Sequence, residues 1–196
     1  MTHFLKGIPF ALIFCVVGAT AGKAQTFEAS LLAGFNMTQI DGDDMVGYNR
    51  IGVNAGAQVA TNLSEQWSFS LGFLFSQQGS NRAKADPYGP YDNIRLNYVE
   101  APLLLHFQDW KMVFTAGGSY ARLINYTSIS LIGEDITDLE KYKPGTINYI
   151  LGATLRLNDH WGVNLQYSKS FNSFQNDDAR PKLFNRMITI RGVYTI

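Results

Sequence analysis

The sequence predicts an all-β protein, an eight-stranded antiparallel up-and-down transmembrane β-barrel. Three observations lead there. Large apolar residues recur at every second position in about eight runs; the connections between runs alternate long and short; and the residues facing away from the apolar ones are small and mostly uncharged. The alternation is plainest at Trp67, Phe69, Leu71, Phe73 and Phe75, with Ser68, Ser70, Gly72 and Leu74 between them. Successive side chains of a strand point to opposite faces, so a period of two gives the run one apolar and one mainly polar face.

The chain opens with a segment read as a removable signal peptide, residues 1–24. Lys6 supplies its positive end, Ile8 to Val17 its apolar stretch, and Gly22 and Ala24 the small residues before cleavage at Gln25. The apolar stretch is shorter than the about 20 residues that a spanning helix needs. Cys15 follows bulky Phe14 within this stretch and reads as filler rather than a lipid-attachment site. Residues 25–196 then form a single barrel domain. Removing residues 1–24 takes away Lys6, Lys23 and the one cysteine, leaving 14 basic against 16 acidic side chains, a net charge of −2. No basic field remains to hold nucleic acid, and a chain without thiols suits an oxidising compartment.

The extended runs are Thr26–Thr38, Arg50–Thr61, Trp67–Gln78, Asn93–Phe107, Met112–Asn125, Thr146–Leu157, Trp161–Asn172 and Leu183–Ile196. Long connections fall at Gln39–Asn49, Gly79–Asp92, Tyr126–Gly145 and Ser173–Lys182. Short ones fall at Asn62–Gln66, Gln108–Lys111 and Asn158–His160. Short turns at one end and long loops at the other are the habit of transmembrane barrels. The runs also exceed the roughly five or six residues usual in soluble sheets.

Alternation alone fits a soluble barrel as well, with its apolar face turned inward. Such a barrel needs charge on its outside to stay dissolved. Here only 16% of residues are charged, against roughly 25% in soluble domains. The polar face reads Ser30, Gly34, Asn36; Gly52, Asn54, Gly56, Gln58; and Gly162, Asn164, Gln166, Ser168. These groups fit a narrow lumen. The apolar face, including Leu31, Phe35, Val53, Phe69, Phe73, Leu103, Leu105, Phe114, Leu151, Leu155, Val163, Leu165, Ile188 and Ile190, then meets lipid. Aromatics gather at the run ends: Trp67, Phe107, Trp110, Trp161 and Tyr194 by the short turns, Tyr120, Tyr149 and Tyr167 nearer the loops. Amphipathic rings prefer the headgroup level, which makes these two interfacial girdles.

Four charges share the small-residue face: Glu28, Glu100, Arg156 and Arg191. They are expected to form a structural charge network in the lumen, with Glu100 and Arg191 reaching across it from opposite walls. Catalysis finds little footing. His106 and His160 stand by short turns, and no G-x-S-x-G nucleophile elbow occurs. Neither a metal nor a cofactor is expected: Asp41, Asp43, Asp44, Asp177 and Asp178 read as solvated loop acids without the EF-hand pattern. Pro87, Gly89, Pro90, Pro144 and Gly145 punctuate turns. Tyr88, Tyr91, Tyr126 and Tyr142 stand in the long loops, as contact residues or as rim packing.

Two segments carry a family resemblance. One runs Gly34-Phe35-Asn36-Met37-Thr38-Gln39-Ile40-Asp41-Gly42-Asp43, followed by Gly47-Tyr48-Asn49 and Gly52/Gly56. The other is Leu96-Asn97-Tyr98-Val99-Glu100-Ala101-Pro102-Leu103-Leu104. Together they resemble the PorT-type outer-membrane β-barrel family of Gram-negative bacteria, with the motif on Tyr98, Glu100 and Pro102. The resemblance implies an exported eight-stranded barrel in the cell outer membrane and, for one branch, a link to protein secretion. It supplies no catalytic residues. The chain ends Tyr194-Thr195-Ile196 rather than in a terminal phenylalanine. Pro102 cannot donate to a ladder and is expected to mark a bulge or bend.

The expectation is a monomeric, non-enzymatic barrel set in outer-membrane lipid, with a polar, plugged lumen and long loops that meet a protein partner or ligand. A narrow solute channel and a soluble lipocalin-like periplasmic carrier are the alternatives.

Overall fold

The computed structural model describes residues 27–45, 47–83, 90–177 and 180–196. The expected signal peptide and Cys15, together with Pro87, Tyr88, Gly89 and Asp178, lie outside the described residues. Eight strands run β1 (Phe27–Asp41), β2 (Arg50–Asn62), β3 (Trp67–Asn81), β4 (Tyr91–Asp109), β5 (Met112–Ser130), β6 (Gly145–Arg156), β7 (Trp161–Ser170) and β8 (Phe184–Thr195). A 3₁₀ turn, Thr137–Leu139, lies in the β5–β6 loop. Each strand pairs antiparallel with the next, and β8 returns to β1 to close the barrel. Closure leaves no edge, which is the condition for crossing hydrocarbon with strands.

The strand starts and ends at the short-turn side fall close to those expected. At the long-loop side four strands run further: β1 to Asp41, β3 to Asn81, β4 back to Tyr91 and β5 on to Ser130. These extensions are polar on their outer faces, so apolar alternation fades there while backbone pairing continues. β5 gains a bulge at Ile124, where Asn97 pairs with Asn125 but Tyr98 with Leu123. Between β4 and β5 only Trp110 and Lys111 remain as a turn, Trp110 taking a left-handed φ of 51°.

Pro102 does not mark the bulge. Pairing of β4 with β3 is interrupted between Leu71–Leu103 and Leu74–Glu100, yet the register is the same on both sides. The missing N–H costs a ladder contact without shifting the strand. Pro102 points into the lumen, where a Cβ on Gly72 would lie 2.9 Å from its Cγ. At the closing seam Gly34 meets β8 so closely that a Cβ would sit 2.1 Å from the Ile190 carbonyl oxygen.

The faces decide the solvent. Outward side chains stand bare, with Phe73 67%, Leu71 56%, Leu165 54% and Leu103 50% exposed, whereas inward Asn36 is 0% and Glu100 2% exposed. A barrel with a bare apolar wall and a buried polar interior is built for lipid, which removes the lipocalin-like alternative. The girdles have geometry too: Trp67 packs on Phe107 (5.0 Å between ring centroids) and Trp161 on Tyr194 (4.9 Å) near the short turns. Tyr149 contacts Tyr167 and Phe171 near the loops.

The apolar band makes a quantitative prediction. Phe73→Arg, midway along β3 on the lipid face, is expected to lower folding stability in lipid vesicles by about 2–4 kcal/mol. Urea titration of the vesicle-folded protein measures this. An unchanged midpoint would mean that this face does not meet lipid.

Candidate functional site

The lumen is layered along the barrel axis, and the layers follow from inward parity. The middle layer holds the buried charges. Arg191 on β8 donates from Nε to Asn164 Oδ1 (2.9 Å), from Nη1 to Asn54 Oδ1 (3.1 Å), and from Nη2 to Gln166 Oε1. Glu100 on β4 accepts the Ser119 hydroxyl, and Ser119 in turn accepts from Asn148 at 3.1 Å. Asn36 links this layer to Ser76 and accepts from Thr189. The expected contact between Glu100 and Arg191 is not formed: no oxygen and nitrogen of the pair approach within 4.0 Å. Each charge is instead held by amide or hydroxyl dipoles. That arrangement satisfies geometry in a lumen whose walls already carry asparagine, glutamine and serine.

Glu28 and Arg156 form a separate pair. They stand 3.9 Å apart at the short-turn end, with side chains 40% and 45% exposed, so the four expected lumen charges divide into a buried set and a wet set. An ion pair this open contributes little. Tyr98 and Glu100 of the family-like motif, with Pro102, occupy successive inward positions. Tyr98 is fully buried and accepts a hydrogen bond from Asn185 at 3.3 Å.

The lumen is not polar throughout, as had been expected. Leu32, Leu74, Leu104 and Ile150 also point inward. The long-loop half is filled by an apolar cluster in which Ile40, Ile94, Leu96, Tyr98 and Ala121 from the strands meet Met45, Tyr142, Phe174 and Leu183 from the loops. Tyr142 stacks edge-on against Phe174 and Tyr126. The loop tyrosines Tyr91, Tyr126 and Tyr142 therefore pack inward rather than outward.

A polar brace locks this lid. Glu140, 3% exposed, takes Arg180 as an ion-pair partner and accepts the Tyr91 hydroxyl at 3.1 Å, while its backbone oxygen accepts Tyr126 at 2.8 Å. Glu140 holds the Arg180 guanidinium proton above its ordinary strength. Backbone bonds from Lys143 to Phe174 and from Asn176 to Lys141 tie the β5–β6 and β7–β8 loops together. Sequence reasoning missed the brace because Glu140 and Arg180 lie in different loops with no periodic signal.

His106, expected at the rim, points into the lumen between Ser70 (2.7 Å from Nε2) and Thr115 (2.9 Å from Nδ1). Its even number on β4, shared with Glu100, already indicated that face. His160 lies in the β6–β7 turn beside the Thr195 carbonyl. Among the described residues no group of three or more metal-ligating side chains converges.

These observations define a lipid-embedded barrel filled at its loop end, and the comparisons with known proteins bear on its fold and family. Residues 23–176 match the family model described as the outer membrane protein beta-barrel domain. The chain belongs to that family. Among solved structures it is similar to Ail, the attachment invasion locus protein of Yersinia pestis: 13% identity, 86% of this chain and 98% of that one covered, TM-score 0.53. Neisserial surface protein A matches at 8% identity over 88% and 99% of the two chains, TM-score 0.47. The likeness to Ail is one of fold. No curated protein matches the sequence. The chain is thus a small outer-membrane β-barrel.

The first long loop carries an acid that the sequence had placed in water. Asp43 is 1% exposed; its Oδ1 accepts the Met45 amide at 3.0 Å and its Oδ2 lacks a partner. Burial pushes its carboxyl up from 3.8 to about 6, outweighing the donors that favour the charge. A raised acid pKa means that the folded loop keeps a proton which the unfolded loop releases. The lid is therefore expected to be firmest below 3.8, to weaken as pH rises to about 6, and then to level off. The total change is on the order of 3 kcal/mol. Hydrogen-exchange protection of Met45, measured across this range, should fall in the wild type and stay flat in Asp43→Asn, which retains the acceptor. A flat wild-type profile would refute the charge burial.

Proposed function

We propose that the protein is a non-conducting contact barrel, whose braced outer loops present a surface to a protein partner. One observation carries the reading: the loops that seal the lumen also leave apolar side chains bare at their tip. Ile132 is 78% and Leu139 71% exposed, with Leu131 beside them at 45%, all in the β5–β6 loop. Exposed apolar groups on a held loop mark a contact site rather than a mobile linker. The PorT-type resemblance would make that partner a component of protein secretion.

Contact rather than catalysis suits the Ser70–His106 pair in the lumen. Ser70 is 1% exposed and its hydroxyl is spent on His106, so it is not presented as a nucleophile. The barrel fold needs no second copy to close its sheet, which supports a monomer.

Two measurements test the proposal. Planar-bilayer recordings of the wild type should show no ionic steps, because Ile40, Ile94, Leu96, Tyr98 and Phe174 across the lumen have no exposed surface. Discrete conductance would favour the narrow channel. Photo-crosslinking groups placed at Ile132 and Leu139 in intact cells should yield one discrete protein adduct, absent from a group placed at lipid-facing Leu71. Identical patterns at loop and lipid positions would overturn the contact reading.

A further inference from the structure

The half of the lumen nearest the short turns is not filled. A cavity of about 330 Å³ lies there, walled by Ser30, Gln58, His106, Thr115 and Asn164, with Arg191 at its inner end. Glu65 of the β2–β3 turn, Asp159 of the β6–β7 turn and the Glu28–Arg156 pair surround its mouth. The apolar cluster closes the opposite end of the lumen, so the cavity is a blind cup. Short turns of outer-membrane barrels are periplasmic, and the cup therefore opens to the periplasm.

We propose that this cup binds a small carboxylate-bearing solute from the periplasm, with Arg191 as its anchor. Arg191 is 5% exposed, and every hydrogen bond it makes goes to a neutral amide oxygen. A guanidinium carries five N–H groups. Three are used, one from each nitrogen, which leaves one free donor on each of the two η nitrogens. That pair is the fork with which arginine grips a planar carboxylate. Buried cations are normally paired with an anion, yet Glu100 is out of contact and already accepts Ser119. Arg191 is one of the residues that line the cavity.

Charge is arranged in depth. The side chains around the inner end are uncharged apart from Arg191: Ser30, Gln58, His106 held between two hydroxyls, Thr115, Asn164 and Gln166. Acids appear only at the mouth, where Arg156 offsets Glu28. The mouth, with Glu28, Glu65 and Asp159 against Arg156, is net acidic, and the cation that would hold an anion stands at the inner end, where Glu100 is beyond ion-pair distance but still acts on it electrostatically. The volume admits about ten water-sized groups at roughly 30 Å³ each, which suits a dicarboxylate or an amino acid and excludes a folded peptide.

The test uses the full-length barrel folded in lipid nanodiscs, with succinate as probe and the neutral isostere succinamide and inorganic phosphate as controls. The Arg191 Nε–H resonance should shift saturably with succinate, at a dissociation constant in the millimolar range or tighter, and stay unmoved by succinamide. Arg191→Gln also removes three lumen hydrogen bonds, so a second variant carries the decision. Ala60→Trp places a ring in the cup from β2, opposite Glu28, without touching the arginine. It should weaken succinate binding about tenfold or more while keeping the unheated-versus-boiled gel shift of a folded barrel. The proposal is overturned by no saturable response to succinate, by an equal response to succinamide, by a response to phosphate alone, or by undiminished binding in Ala60→Trp.

Discussion

Hydrocarbon offers a backbone no hydrogen-bond partner, and the rest of this structure depends on that constraint. Eight strands satisfy one another in a closed ring, with β8 returning to β1 through Gly34 and Ile190 at very close approach. Once the ring is closed, its outer wall must be apolar and polar groups must go inside. The interior of an eight-stranded barrel is only wide enough for side chains. Every inward residue is therefore either part of a packed layer or part of a water-filled remainder.

That limited width explains how the buried charges are managed. A direct pair across the lumen would require two long side chains to meet at one point, each stripped of its remaining hydrogen bonds. Arg191 and Glu100 are held instead by amides and hydroxyls from other strands, with Asn54 of β2 and Asn164 and Gln166 of β7 on one and Ser119 of β5 on the other. The neutral dipoles fix both groups without bringing them together. They also leave the arginine with N–H donors that a closed ion pair would have consumed.

The two ends of the barrel are finished differently. At the loop end, apolar side chains from strands and loops share one cluster, braced by Glu140 and Arg180. At the short-turn end there is too little chain to fold back over the lumen. Turns of a few residues hold no side chains that could reach its centre, so the cavity stays open. The barrel is thus filled at its loop end and open at its short-turn end.

Much of this was legible in the residues themselves. Strand number, closure order, face assignment and membrane orientation all follow from a period of two and a low charge content, because each depends only on neighbours along the strand. Inward parity likewise placed Glu28, Glu100, Arg156 and Arg191 on one face. What parity cannot supply is height and partner. Whether Arg191 meets Glu100 or Asn164 depends on the stagger between strands, which shifts every residue along the axis, and on the bulge at Ile124 that no residue pattern announced. The loops were equally opaque. Asp43 read as a solvated loop acid and Tyr142 as either a contact residue or rim packing; both are buried, because loops from distant parts of the chain converge on one mouth. The sequence by itself determined the wall, since alternation is a local property. Only the tertiary structure decided the plug and the cup, since those arise where segments far apart in the chain compete for one narrow space.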